Sequence, residues 1–176
     1  MKFSPTKIDG VWQITLDRHE DDRGWFARSW CVREFEEQGI NPRMVQCNLS
    51  FNQKRGTLRG MHYQAEPHTE DKYIRVNRGA IYDVALDLRP DSPTYKQWQG
   101  FELSAANHTL LYLPKGIAHG FLTLTDETEV MYLVSAFYEP DAGRGVRWND
   151  PAFGIDWPFE PSVMVERDRT YEDFSG

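Results

Sequence analysis

Apolar and polar residues alternate along much of the chain with the two-residue period of a pleated strand. AIYDVALDL at 80–88 puts Tyr82, Val84, Leu86 and Leu88 on one face, and Asp83, Ala85 and Asp87 on the other. RMVQCNLSF at 43–51 divides the same way. Its apolar set, Val45, Cys47, Leu49 and Phe51, is expected to face a core, while Met44, Gln46, Asn48 and Ser50 look into something polar. VWQITL at 11–16, the aromatic-rich GWFARSW at 24–30 and KYIRV at 72–76 read as further strands, as do segments near 97–103, 108–113, 117–124 and 129–138. Asn77-Arg78-Gly79 and Pro114-Lys115-Gly116 carry the residue types of turns. The clearest helix signal is CVREFEEQG at 31–39, entered at Ser29 or Trp30 and stopped by Gly39, with a short helical turn expected near 167–173. From residue 140 onward the chain is rich in Pro, Gly and Trp and is predicted to wrap a barrel as ordered loop. Many short strands with little helix mean a sandwich or closed barrel, and a double-sheet jelly roll fits the strand count. The mouth of such a barrel is a natural ligand site. No repeat, low-complexity stretch or linker divides the sequence, so residues 1–176 read as a single domain.

Composition narrows the function. A length of 176 residues with 40% hydrophobic and 14% aromatic content suits one domain with a sizeable core and argues against disorder. The formal net charge of -7 disfavours nucleic acid as a partner. An anionic substrate would need a local nest of Arg and Lys set against that field. No apolar run approaches a membrane span, and MKFSPTKIDG has no apolar stretch behind its lysine, so neither membrane insertion nor a secretory leader is expected. The two cysteines, Cys31 and Cys47, form no CxxC pair and read as reduced thiols of a cytoplasmic protein.

Chemistry concentrates in LRGMHYQ at 58–64. Gly60 permits close approach of backbone or ligand, and His62 lies one strand repeat beyond it. A histidine with a carboxylate to orient it is a base suited to neutral pH, and Asp168 offers that carboxylate. Lys72 and Tyr132 fall on other strands that a barrel can bring to the same interior. On residue type alone, His62 fits a structural histidine equally well, Lys72 a solvated strand lysine and Tyr132 a core aromatic. A metal-binding jelly roll needs a His-x-His pair with further ligands. Here the His62 strand reads His-Tyr-Gln, while His68 and His119 stand apart, so no metal is expected. No GxSxG elbow, GxGxxG or P-loop string is present.

The strings DDRGWF (21–26), VQCNLSFN (45–52), GTLRGMHYQ (56–64), KYIRVNRGAIYDVALDLRPDSPTY (72–95), LSAANH (103–108), LPKGIAHGF (113–121), RWNDPAFGIDWP (147–158) and ERD (166–168) together resemble the dTDP-4-dehydrorhamnose 3,5-epimerase family from about residue 8 to 170. The resemblance implies a cupin-like jelly-roll homodimer without metal or bound cofactor, acting on a nucleotide-linked 4-keto-6-deoxyhexose. Within it, His62 matches the general base, Asp168 its dyad partner, Lys72 the lysine near the ketone and Tyr132 the general acid on the opposite face. Arg59 and Arg23 match arginines that hold the diphosphate, and Arg23 is expected to serve a neighbouring site. Gln46 and Asn48 match residues lining the nucleotide site, His119 a second histidine of the pocket, and Tyr138 a tyrosine close to the sugar.

The chain departs from the family's pattern at Ala27-Arg28, Glu70, Leu133, Phe137 and Gly143. These positions bear on which nucleotide and sugar are taken, and on whether one carbon or both are inverted. A single-carbon epimerase, a 3,4-ketoisomerase and a non-catalytic sugar-binding jelly roll are the alternatives. Retention of His62, Asp168, Lys72 and Tyr132 favours catalysis, and an acid on the opposite face favours inversion over a same-face isomerisation.

Overall fold

The computed structural model describes residues 1–175. Its strands run β1 (Lys2–Pro5), β2 (Trp12–Thr15), β3 (His19–Asp21), β4 (Gly24–Phe26), β5 (Gln46–Asn52), β6 (Leu58–Gln64), β7 (Lys72–Arg78), β8 (Ala80–Asp87), β9 (Trp98–Ser104), β10 (Leu110–Leu113), β11 (Ile117–Thr123), β12 (Thr128–Val134) and β13 (Gly143–Gly145). Two short helices, α1 (Val32–Glu37) and α2 (Glu166–Arg169), complete the set with a 3-10 turn at Pro140–Ala142. Six strands join in the order β1-β2-β10-β7-β12-β5 and five in the order β13-β6-β11-β8-β9, while β3 and β4 form a separate hairpin. Successive strands β6, β7 and β8 alternate between the two large sheets, the crossover pattern of a double-sheet jelly roll. Among the described residues, no helix is long and apolar enough to cross a membrane.

Three apolar clusters hold the layers. Between the sheets, Ile74, Val76, Ile81, Ala85, Leu111, Leu113, Phe121 and Val130 fill one end of the barrel. Outside the six-stranded sheet, α1 presses Phe35 onto Tyr73 and Tyr112, with Trp30 packed at a tilt against Phe35 and edge-on against Tyr73. Trp30 therefore belongs to the covering layer, and the strand expected over 24–30 stops at Phe26. The helix begins at Val32, after an extended Cys31, and the chain turns away at Gly39 with φ +70°.

The third cluster explains the alternation of β8. Its apolar face, Tyr82, Val84 and Leu86, points outward and is covered by Val146, Phe153, Ile155, Trp157 and Phe174 of the C-terminal tail. The tail thus wraps the barrel as its composition predicts. It is pinned by the Trp157 indole N–H donating to the Trp148 carbonyl at 2.8 Å and by Asp150 accepting the Phe174 N–H at 2.6 Å. With that face covered, the opposite face of β8 is buried as well, so Asp83 and Asp87 are fully enclosed.

On β5 the expected orientation is reversed. The apolar residues Leu49 and Phe51 are 63% and 50% exposed on the outside of the sheet, and Cys47 beside them is also exposed. Gln46, Asn48 and Ser50 face the barrel interior, as the polar reading of that set anticipates. The interior at this end is a cavity rather than a core, so polar side chains occupy it.

Candidate active site

β6 and β12 belong to opposite sheets, and between them opens a cavity of about 720 Å³. The close passage of β6 and β11 sets its floor. Gly60 adopts φ +134°, and a Cβ there would meet Gly120 Cα at 2.4 Å and the His119 carbonyl at 2.9 Å. Only glycine fits that crossing. It places His62 and His119 as direct cross-strand partners, both lining the cavity.

Asp168, in the first turn of α2, is 1% exposed. Its Oδ2 accepts the Gly60 N–H at 3.0 Å, and its Oδ1 lies 2.7 Å from His62 Nε2. Burial pushes the Asp168 carboxyl pKa up, but the hydrogen bonds from His62 and the Gly60 N–H, with the nearby charge of Arg167, outweigh it and hold the group below the usual carboxylate range. An ionised carboxylate only accepts, so the proton between the pair sits on Nε2, and Nδ1 remains the basic nitrogen. The Arg167 guanidinium flanks this pair, 3.3 Å from His62 Nε2 and 3.5 Å from Asp168 Oδ1.

Lys72 stands at the start of β7, largely buried, with its Nζ donating to the His62 carbonyl at 3.3 Å and paired with Glu70 Oε1 at 3.3 Å. Tyr132 reaches the same cavity from β12 in the facing sheet. Burial raises the Tyr132 phenol pKa; Arg59 draws it down and Glu70 adds to the rise, so the net direction is up and the phenol keeps its proton at neutral pH.

Around this group, Gln46 and Asn48 extend from β5, Arg59 from β6 and Tyr138 from the rim. Arg59 Nε donates to Asn52 Oδ1 at 2.7 Å, and the Tyr138 N–H donates to Gln46 Oε1 at 2.7 Å. His119 Nε2 lies 2.7 Å from Asp83 Oδ2, while the buried Asp83 Oδ1 has no hydrogen-bond partner among the described residues. Nine of the ten residues singled out in the sequence therefore converge on one cavity or support it directly. The tenth, Arg23, does not: it sits near the turn of the β3–β4 hairpin, 89% exposed and hydrogen-bonded to Asp21. Asp83, Arg167, Tyr171, Glu70 and Gln64 complete the surroundings without having been assigned a role from sequence. Asp83 carries a legible signal, an acidic residue alternating with the apolar positions of β8, but only the register of β8 against β11 brings it beside His119.

The fold and cavity define the class, a double-sheet jelly roll with a polar, side-chain-lined cavity between its sheets. A sequence model described as dTDP-4-dehydrorhamnose 3,5-epimerase matches residues 5–176. A protein of that description from Methanothermobacter thermautotrophicus is 41% identical over 174 residues, covering 97% of this chain and 93% of its own. A relative from Streptomyces niveus described as dTDP-4-dehydrorhamnose 3-epimerase is 40% identical, covering 96% of this chain and 82% of its own. The crystal structure of the Bacillus anthracis dTDP-4-dehydrorhamnose 3,5-epimerase with TDP and PPi bound superposes with a TM-score of 0.94 at 42% identity, covering 98% of this chain and 99% of that one. The chain belongs to the dTDP-4-dehydrorhamnose 3,5-epimerase family, and it is an isomerase.

Proposed function

We propose that the chain inverts carbon 3 and carbon 5 of dTDP-4-dehydro-6-deoxy-D-glucose to give dTDP-4-dehydro-L-rhamnose. The observation that carries this reading is the placement of His62 and Tyr132 on opposite walls of one cavity, with Lys72 beside them. The carbon 4 ketone makes the hydrogens on carbons 3 and 5 acidic, because the electron pair left behind delocalises onto oxygen. His62 removes one such proton. A Lys72 N–H stabilises the enolate oxygen as charge develops there. Tyr132 returns a proton to the same carbon from the other face, which inverts it. The phenolate and imidazolium then exchange protons with solvent before the next carbon reacts. Arg59 supplies a planar fork for the diphosphate, while Gln46, Asn48, Tyr138 and His119 line the remainder of the site.

The test is exchange in heavy water with dTDP-4-keto-6-deoxyglucose, followed by NMR. Deuterium is expected at carbons 3 and 5. Deuterium at carbon 3 alone would replace double inversion by single inversion. No incorporation into this sugar or its CDP-, GDP- or UDP-linked counterparts would overturn the catalytic reading. Proton removal, charge stabilisation and proton return all come from side chains, so the exchange is expected to survive EDTA and to need no added cofactor. Two free thiols accord with work in the cytoplasm.

The working unit of this reading is a homodimer. The exposed Leu49 and Phe51 form an apolar stripe on β5 at the end of its sheet, and Phe26 on the hairpin is 74% exposed. Such surface is costly to leave in water. A second copy covering it would carry Arg23 toward a neighbouring cavity. Mixing Arg23→Ala subunits with His62→Ala subunits is expected to restore activity above that of either variant alone. In the mixed dimer, the site with an intact His62 receives an intact Arg23 from its neighbour. No restoration on subunit exchange would place Arg23 outside the machinery or confine it to its own chain.

A further inference from the structure

Glu70 is one of the positions named above as departing from the family's pattern, and the catalytic scheme above leaves it without a role. Its side chain is 10% exposed and lines the cavity beside Lys72, which is 11% exposed. A carboxylate next to the group meant to stabilise an enolate looks counterproductive, since it offsets part of the ammonium's field. The geometry points to a different use. An ammonium has three N–H donors. One is taken by the His62 carbonyl at 3.3 Å, while Glu70 Oε1 faces the ammonium at 3.3 Å as its salt-bridge partner. That leaves N–H donors for a ligand in the cavity.

The segment that carries Glu70 is itself fixed. Asp71, pointing the other way along the extended chain, accepts from the Tyr112 hydroxyl at 3.0 Å, Asn41 Nδ2 at 2.8 Å and the Ser135 hydroxyl at 2.9 Å. Its N–H donates to Ser135 Oγ at 2.8 Å. That rivet on one side turns Glu70 and Lys72 toward the cavity on the other. Glu70 Oε2 in turn accepts from Gln64 Nε2 at 3.3 Å, and Gln64 Oε1 accepts the Glu139 N–H at 2.8 Å. A continuous polar chain thus runs from the rim segment carrying Tyr138, through Gln64 and Glu70, to Lys72 and the His62 backbone.

We propose that Glu70 is a positioning residue whose carboxylate anchors the Lys72 ammonium as its salt-bridge partner, so that a free N–H is presented to the substrate's carbonyl oxygen. Glu70 transfers no proton itself. The inference rests on the epimerase reading and deepens it.

The test compares Glu70→Ala and Glu70→Gln in the full-length protein by deuterium exchange kinetics, with dTDP binding measured alongside as a check on the fold. A misplacement of about 1 Å at a reacting group can cost about 10²-fold, so Glu70→Ala is expected to lower kcat by about 10- to 100-fold while leaving KM near its wild-type value. Glu70→Gln keeps an oxygen for Lys72. The amide it turns toward Gln64 costs little, because Gln64 Nε2 also has the His68 and Phe137 carbonyls within reach at 3.0 and 3.3 Å. Glutamine is therefore expected to recover most of the loss. In a Lys72→Ala background, Glu70→Ala is expected to add nothing further, as required of a residue acting through the lysine. A wild-type kcat in Glu70→Ala, a Glu70→Gln variant as slow as the alanine, or an additive loss in the double variant would each overturn the role. A wild-type enzyme that exchanges no deuterium would instead overturn the epimerase reading, and this inference with it.

Discussion

His62→Ala is expected to lower deuterium incorporation by about 10²–10⁴-fold, the range a well-placed general base contributes. The size follows from how completely the surroundings commit this imidazole. Asp168 is enclosed, stays ionised against the cost of its burial, and spends one oxygen on the Gly60 N–H and the other on Nε2. The ring is thereby fixed in rotation and tautomer, with a single basic nitrogen left over. No other imidazole replaces it. His119, directly across the strand, is tied to Asp83, and His68 lies in the β6–β7 connection. dTDP binding should persist in the variant, because Arg59, Gln46 and Asn48 reach the cavity from their own strands. Wild-type exchange rates in the alanine variant would remove His62 from the mechanism. Asp168→Asn should also slow exchange, since an amide no longer holds the proton on Nε2 by accepting alone. It additionally leaves a polar group mispaired at a fully buried position.

How far the sequence foretells this site depends on what kind of information each residue's role needs. Alternation alone locates β8 and separates its two faces, because the period of a strand is a local property. It does not say which face looks inward, and here the tail decides the matter by covering the apolar one. On β5 the same reasoning assigns a core to Leu49 and Phe51 and finds solvent in a single chain. A barrel with a cavity at one end inverts the usual sign of its interior and leaves the apolar residues of this end strand facing outward. The helix at 31–39 is legible in its stop, Gly39, but not in its start. Trp30 enters for its packing against Phe35 and Tyr73 rather than for any capping chemistry.

The site divides along the same line. His62, Lys72, Tyr132 and Asp168 lie in four separate stretches of the chain, and no spacing rule joins them. Their convergence comes from sheet order, which puts β7 beside β12 in one sheet and β6 in the other, and from the tail's return to lay α2 near β6. The match of many strings to one family anticipates that convergence; composition and periodicity do not. Arg23 shows the opposite case. Its role is carried by resemblance, yet within its own chain it pairs with Asp21 at the hairpin and is not among the residues lining the cavity. Glu70 is visible as a departure, but its meaning depends on Gln64, Asp71 and the count of donors on Lys72, which only the folded chain supplies.

Tyr132→Phe is expected to separate two events that the wild-type enzyme couples. Deuterium should still enter the substrate, while the inverted sugar forms about 10²-fold more slowly. Phenylalanine preserves the ring that packs beside the barrel core and removes only the hydroxyl. His62 can then take a proton, exchange it with solvent and return deuterium to the face it came from, which leaves configuration unchanged. The opposite face, served from β12, has lost its donor. Burial and the Glu70 carboxylate both favour the protonated phenol, and Arg59, which opposes them, lies where it would stabilise the phenolate once the proton is given. A phenol so placed is ready to donate at neutral pH and is poorly suited to begin the reaction by taking a proton. Washout and inversion are read in the same NMR experiment, one from loss of the carbon-bound proton signal and the other from the couplings of the product. Equal loss of both would make Tyr132 part of proton removal, and unchanged inversion would assign the returning proton to another donor. Either result breaks the division of labour between the two walls of the cavity, because that division requires one wall to act without the other.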